Sequence, residues 1–132
     1  MNKCNIVFFA KFGEEVSSIT TTGEYKKQGE MLRITFKLKD NGDLGYSFTV
    51  SKNKRLTISC VGDFNYTFSL QEKEVYRFML TALTKPINAE VFCSKLSILE
   101  KNNQITINAT YKMDLGGEVL KNNFRLVASY ED

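Results

Sequence analysis

The side chains able to do chemistry in this 132-residue chain are three cysteines, six tyrosines and a spread of charged residues; histidine is absent. Without histidine the chain cannot build Ser-His-Asp or Cys-His machinery, a histidine general base or a His-ligated catalytic zinc. Catalysis would fall to carboxylate, lysine, tyrosine or cysteine alone. No close carboxylate pair stands on an apolar background: Glu14-Glu15 and Glu72 with Glu74 read as loop or edge charges. Cys4, Cys60 and Cys93 are odd in number, widely spaced and form no Cys-x-x-Cys, so neither a disulfide framework nor a zinc knuckle is signalled. They read as reduced thiols, packed as small apolar groups; Cys60 in particular is in phase with apolar neighbours and is expected to be unreactive. Gly116-Gly117 lacks the spacing and the Lys-Ser/Thr of a phosphate-binding loop. The chain is therefore expected not to be an enzyme, with no catalytic residue, no metal and no cofactor.

Two sets of residues remain for binding. Tyr46, Tyr66, Tyr111 and Tyr130 fall on apolar faces, and a buried phenol normally finds a polar partner. With Arg77, whose facing the sequence leaves open, they are the candidates for polar contacts to a small, partly apolar molecule inside the fold. The second set is basic. Arg33, Lys37 and Lys39 share one face of a segment, and Lys52, Lys54 and Arg55 crowd a nearby turn. As a site they would take an anionic ligand or a protein or RNA partner, since small β-barrels bind single strands with basic grooves and stacking aromatics. As plain surface they solvate an outer face and protect sheet edges. The balance of 18 basic against 15 acidic residues, net +3, falls short of the excess that marks nucleic-acid binders, so nucleic acid is the less favoured partner.

The elements that position these residues repeat with period two. Leu32, Ile34, Phe36 and Leu38 share one face, and Arg33, Thr35, Lys37 and Lys39 the other. Tyr46, Phe48 and Val50; Leu56, Ile58 and Cys60; Phe64, Tyr66, Phe68 and Leu70; and Ile105, Ile107, Ala109, Tyr111 and Met113 all alternate with polar residues. The last segment places Leu120, Phe124, Leu126, Ala128 and Tyr130 on one side, with Asn122 as the polar exception. A strand flips its side chains at every residue, so each run has one dry and one wet face, as in antiparallel sheets. Short turn sequences separate the runs, Asp40-Asn41-Gly42-Asp43 and Leu115-Gly116-Gly117-Glu118 among them; short hairpins between consecutive strands give up-and-down order. Residues 72–83 could form a helical turn or two, and a strand is the preferred reading. In 84–99, Phe92, Leu96 and Ile98 are out of phase with Ala89 and Val91, which a bulge or bend would reconcile. The expected fold is all-β: one domain over 1–132, a single antiparallel up-and-down barrel of about 8–10 strands, because closure removes exposed edges. Such a barrel is near the size at which side chains just fill the interior or one small ligand fits.

Thr22-Gly23-Glu24-Tyr25 leading into Leu32-x-Ile34-x-Phe36, then Leu56-x-Ile58 up to Gly62, Phe68, Ile105-x-Ile107-x-Ala109-x-Tyr111, Gly116-Gly117 and Asn123-x-Arg125-x-Val127 together resemble the YwiB-like family, a bacterial family of unknown function. The resemblance covers nearly the whole chain after about residue 15 and implies a calycin-like (lipocalin-like) barrel. It departs where the family pattern carries an acidic residue after the strand ending near Phe36, here Leu38-Lys39, and an arginine two residues before the glycine matching Gly62, here Cys60. It therefore supports the fold and lends no catalytic residue. The expected function is non-catalytic binding of a small, partly apolar molecule within the barrel; the alternative is an interaction module using the basic face. Neither a secretory leader nor a membrane span is read, so a cytoplasmic monomer or weak dimer is expected, with no membrane partner.

Overall fold

The computed structural model describes residues 2–38, 44–51, 54–62, 64–82 and 85–130. Among them ten strands follow in order: β1 (Asn2–Phe12), β2 (Glu15–Gln28), β3 (Met31–Leu38), β4 (Leu44–Val50), β5 (Leu56–Val61), β6 (Phe64–Leu70), β7 (Val75–Ala82), β8 (Lys85–Lys101), β9 (Gln104–Leu115) and β10 (Glu118–Tyr130). Each sequential pair is antiparallel, and β1 also pairs with β10, so the sheet closes into a barrel. The fold is thus the all-β, up-and-down barrel that the alternation implies. No helix among the described residues is long and apolar enough to cross a membrane.

Alternation decides what faces inward. Cys4, Ile6, Phe8 and Ala10 of β1 are buried while Lys3, Asn5, Val7, Phe9 and Lys11 face out. The other strands follow the same rule, and β8 breaks it once. Ala89, Val91 and Cys93 face in; a bulge between Cys93 and Lys95 inserts one residue, after which Leu96 and Ile98 take the inner phase. Phe92 belongs to the outer phase that precedes the bulge and is 37% exposed. Its apparent match with Leu96 in sequence is an effect of the insertion.

Phe8 is the hub of the core. Its ring lies 5.7 Å from Phe36, 5.8 Å from Phe48 and 5.9 Å from Phe124. Burying each such ring contributes about 1.5–3 kcal/mol. One end of the barrel carries the turns β1–β2, β3–β4, β5–β6, β7–β8 and β9–β10; we call it the hairpin end. The opposite, terminal end carries the start of β1 and the end of β10. It is closed by Tyr25 packed against Tyr130, ring centroids 4.3 Å apart and tilted by 33°, and by Lys27, which donates to Glu100 at 2.7 Å.

The ladders around the ring are unequal. β8, β9, β10, β1 and β2 are long strands with long registers. Two seams are thin. Between β6 and β7 only Phe64–Ala82 and Asn65–Thr81 pair in the ladder among the described residues. There the segment 71–74 docks on β8 instead: the Lys73 amide donates to the Cys93 carbonyl at 2.8 Å, and the Leu96 amide donates to Glu72 Oε1 at 3.1 Å. The Phe68 and Phe78 rings, 5.1 Å apart, fill the gap. Between β2 and β3 the ladder runs from Gly23–Phe36 to Gln28–Met31. Glu15–Thr22 pair with β1 alone among the described residues.

Gly23 sits where that second seam begins to part. A Cβ there would lie 2.3 Å from the Thr35 carbonyl oxygen and 2.6 Å from Ile6 Cδ1. Glycine inside a strand commonly marks such a close approach, and here the obstruction includes backbone that cannot swing aside. Gly23→Ala is therefore expected to destabilise the fold by about 1–3 kcal/mol, the range for over-packing a core. The check is the urea unfolding midpoint; a change under about 0.5 kcal/mol, the scale of a neutral surface substitution, would contradict this account of the seam.

Candidate functional site

Beneath the hairpin end the interior turns polar. Tyr46 (β4), Cys60 (β5) and Tyr66 (β6) stand directly opposite one another along consecutive ladders, all in the inward phase. Their side chains hydrogen-bond together, Tyr46 with Cys60 and Tyr66 with both. On β9 and β10, Tyr111 faces Asn122 across the ladder and hydrogen-bonds to it. Tyr111 is close enough to feel Tyr46 electrostatically, and Tyr66 feels Tyr111 in the same way. The aromatic hub borders this layer, with Tyr46 6.3 Å from Phe8 and Tyr111 6.3 Å from Phe124.

Burial sets the protonation of the layer. It raises the Tyr46 phenol to about 12, with Cys60 adding to the effect. It also raises Tyr66 and Tyr111. The Cys60 thiol is pushed up by burial, and Cys93 is pushed up to about 11 by burial and by the nearby Glu72 charge. All of these groups are neutral at pH 7. Thiolates are the nucleophilic and metal-binding form of cysteine, so none of the three buried cysteines is poised for that chemistry. Among the described residues no group of three or more Cys, Asp or Glu is placed to hold a metal.

The second feature is a cleft of about 1060 Å³ beside the parted β2–β3 seam. Its lining draws on both faces of the wall. Ile19, Thr21, Phe36, Leu38 and Tyr46 come from the inner phase, and Thr20, Thr22, Thr35, Lys37, Ser47 and Ser59 from the outer. The outer hydroxyls are ordered by register: Thr35, Ser47, Ser59 and Thr67 lie in one row across β3 to β6, and Ser59 Oγ is 3.0 Å from Thr67 Oγ1. Tyr46 belongs to both features, as a wall of the cleft and as the first member of the polar layer.

The structure thus brings Tyr46, Tyr66 and Tyr111 together and separates the remaining candidates. Tyr130 faces inward at the terminal end, where it packs against Tyr25 and its hydroxyl bonds Glu100. Arg77 does not line the interior. Phe78 and Leu80 take the inner phase of β7, so Arg77 points out, its side chain 84% exposed and 3.8 Å from Glu90. Arg33 and Lys37 are exposed on the outer face of β3. Lys54 lies at the β4–β5 turn with φ of 57°, and the Arg55 guanidinium donates to Gln71 Oε1 at 3.0 Å. Lys39 and Lys52 lie outside the described residues. Two contributors escaped the residue reading. Asn122 carried a signal, being the one polar residue in the dry phase of its segment. The cleft wall carried another, the Ser/Thr run before an interior glycine at Gly23.

These features define a class: a closed, ten-stranded antiparallel barrel with a polar layer at one end and a cleft through one side. The chain belongs to the family of the domain of unknown function DUF1934, whose model matches residues 7–126. Among solved structures it is similar to the YwiB protein of Bacillus subtilis, with a TM-score of 0.84 at 12% identity over 99% of this chain and 93% of that one. At that identity the likeness concerns the fold. No curated protein sequence matches the chain.

The raised phenols fix a pH dependence. In an unfolded chain tyrosine releases its proton near pH 10, whereas the folded interior retains it. Above that pH the unfolded state binds fewer protons, so the tyrosines' contribution to stability is level below about pH 10 and is lost as pH rises beyond it; the buried thiols, also raised by burial and released at about pH 8.5 in an unfolded chain, begin the same decline earlier. The absorbance rise of Tyr46, Tyr66 and Tyr111 is expected to coincide with loss of the β-sheet circular dichroism. A phenolate signal from all six tyrosines while the sheet is intact would contradict the burial described here. Likewise, native protein is expected to react with a mild thiol reagent far more slowly than urea-unfolded protein, with Cys60 among the protected positions.

Proposed function

We propose that the chain is a non-catalytic binding domain that takes a small, partly apolar ligand in the cleft between β2 and β3–β5. The lining carries this reading. Ile19, Phe36 and Leu38 offer an apolar wall, the Thr20–Thr22 run with Thr35, Ser47 and Ser59 offers hydroxyls, and Lys3 and Lys37 stand at the rim. Ligand sites combine a largely apolar surface with a few placed polar groups, in volumes of about 300–1,000 Å³. The Tyr46 hydroxyl is a neutral hydrogen-bonding group held by Cys60 and Tyr66, which suits an uncharged polar atom on an otherwise apolar molecule. The family's unassigned role neither adds to nor subtracts from this. The unpaired thiols fit a reducing compartment such as the cytoplasm.

A second reading has one observation in its favour. Lys26 and Arg33 are directly opposed across the β2–β3 ladder on the outer face, with Lys37 further along β3. Directly opposed like charges destabilise a sheet, and an anionic partner would relieve them.

The first test is native mass spectrometry of gently purified protein against its denatured mass. A released small molecule whose occupancy is lost in Thr21→Trp, which fills the cleft, supports the cleft reading; retention of the same molecule in that variant refutes it. Tyr46→Phe is expected to weaken binding about 5–30-fold, the equivalent of one hydrogen bond at about 1–2 kcal/mol. If the basic face is the site instead, binding to RNA or an anionic resin falls steeply with salt and is abolished by Arg33→Glu with Lys37→Glu. Salt-independent absence of binding removes that reading.

A further inference from the structure

Asn122 is the buried polar residue of the core, 2% exposed among the described residues. Its neighbours across the two ladders are Tyr111 on β9 and Phe12 on β1. The amide N–H faces the Tyr111 hydroxyl oxygen, the hydrogen bond that moderates the Tyr111 phenol. The other half of the amide, Oδ1, is buried and has no hydrogen-bond partner among the described residues. Folded proteins pair nearly all such groups, and where no protein donor reaches them an ordered water does.

We infer that the barrel interior is a binding site for one neutral hydrogen-bond donor, a water molecule, held by Asn122 Oδ1. The surroundings fix the chemical class. The groups of this layer are phenols, a thiol and a carboxamide, all uncharged at neutral pH. An anion would meet the lone pairs of Oδ1, and a cation would find no compensating charge. Apolar guests would leave Oδ1 as unpaired as before. Water gives Oδ1 its missing donor and can accept from the Tyr111 hydroxyl, whose own proton is not the one shared with the Asn122 amide. Two or more partners of that kind are what an internal water requires. The site does not depend on whether the cleft binds a ligand.

A crystal structure of the protein at about 1.5 Å or better is expected to show a density peak within about 2.7–3.2 Å of Oδ1, hydrogen-bond distance. Water-17O relaxation dispersion is expected to count one fewer long-lived internal water in Asn122→Leu than in the parent chain, and the same loss is expected when the two are compared at any ligand occupancy of the cleft. A well-ordered Oδ1 touching only carbon, or bonded by a protein N–H or O–H, overturns the inference. So does an unchanged water count in a folded Asn122→Leu. If that variant does not fold, the density around Oδ1 in the parent chain decides.

Discussion

β1 gives one edge to β10 and the other to β2, from Cys4 opposite Tyr130 and Gly23 at one end to Phe12 opposite Asn122 and Glu15 at the other. That double pairing converts a meander into a ring. In an open sheet the outer strands would expose a row of unpaired N–H and C=O groups, and one face would have to be covered by something else. In the ring the inner faces cover one another. Ile6, Ile34, Ile107 and Leu126, contributed by four separate strands, are each fully buried. The tyrosine layer then exists only because closure brings β4–β6 and β9–β10, which are remote along the chain, to face each other across the interior.

Most of this was legible in the residues, for a definite reason. Antiparallel strands with one solvated face write their facing directly into the sequence; β9 did so without exception, and β3 and β5 did so but for Met31 and Val61, apolar residues on the outer face. The same rule placed Tyr46, Tyr66, Tyr111 and Tyr130 inside. What it could not give was height along the barrel axis. Tyr130 and Tyr111 have the same phase but belong to opposite ends, and only the register between strands separates them. The N-terminal segment was obscured because Val7 and Phe9 are apolar on the outer face, 47% and 40% exposed, so β1 reads as an unbroken apolar run. Arg77 was ambiguous because β7 has little sequence contrast between its faces. The cleft was harder to read for another reason: it arises from a ladder that stops at Gly23, and the Ser/Thr run before that glycine marks the wall without saying that the strands part there.

Two environments of opposite character share one side chain. The layer of Tyr66, Cys60, Tyr111 and Asn122 is buried and neutral, and burial holds its phenol and thiol protons in place. The cleft is lined with small hydroxyls that water or a ligand can satisfy equally. Tyr46 spans the two. A hydrogen bond made to it from the cleft competes with the ones it makes to Cys60 and Tyr66, so the strength of any interaction at the surface is set partly by residues that never meet solvent.

The pairing of the first strand with the last also sets how the chain can reach its native state. The β1–β10 contacts span almost the full length of the sequence, and such non-local pairing is reached late because the loop entropy of the whole chain must be given up first. Of the ten strands β10 is the last to emerge during synthesis, so until then the β10-facing edge of β1, with Val7 and Phe9 nearby, has no permanent partner. An extended, apolar strand in that condition is a site for pairing with other chains. The closure that protects the finished barrel is thus the last event in its making, and the interval before it is when the molecule is most open to misassembly.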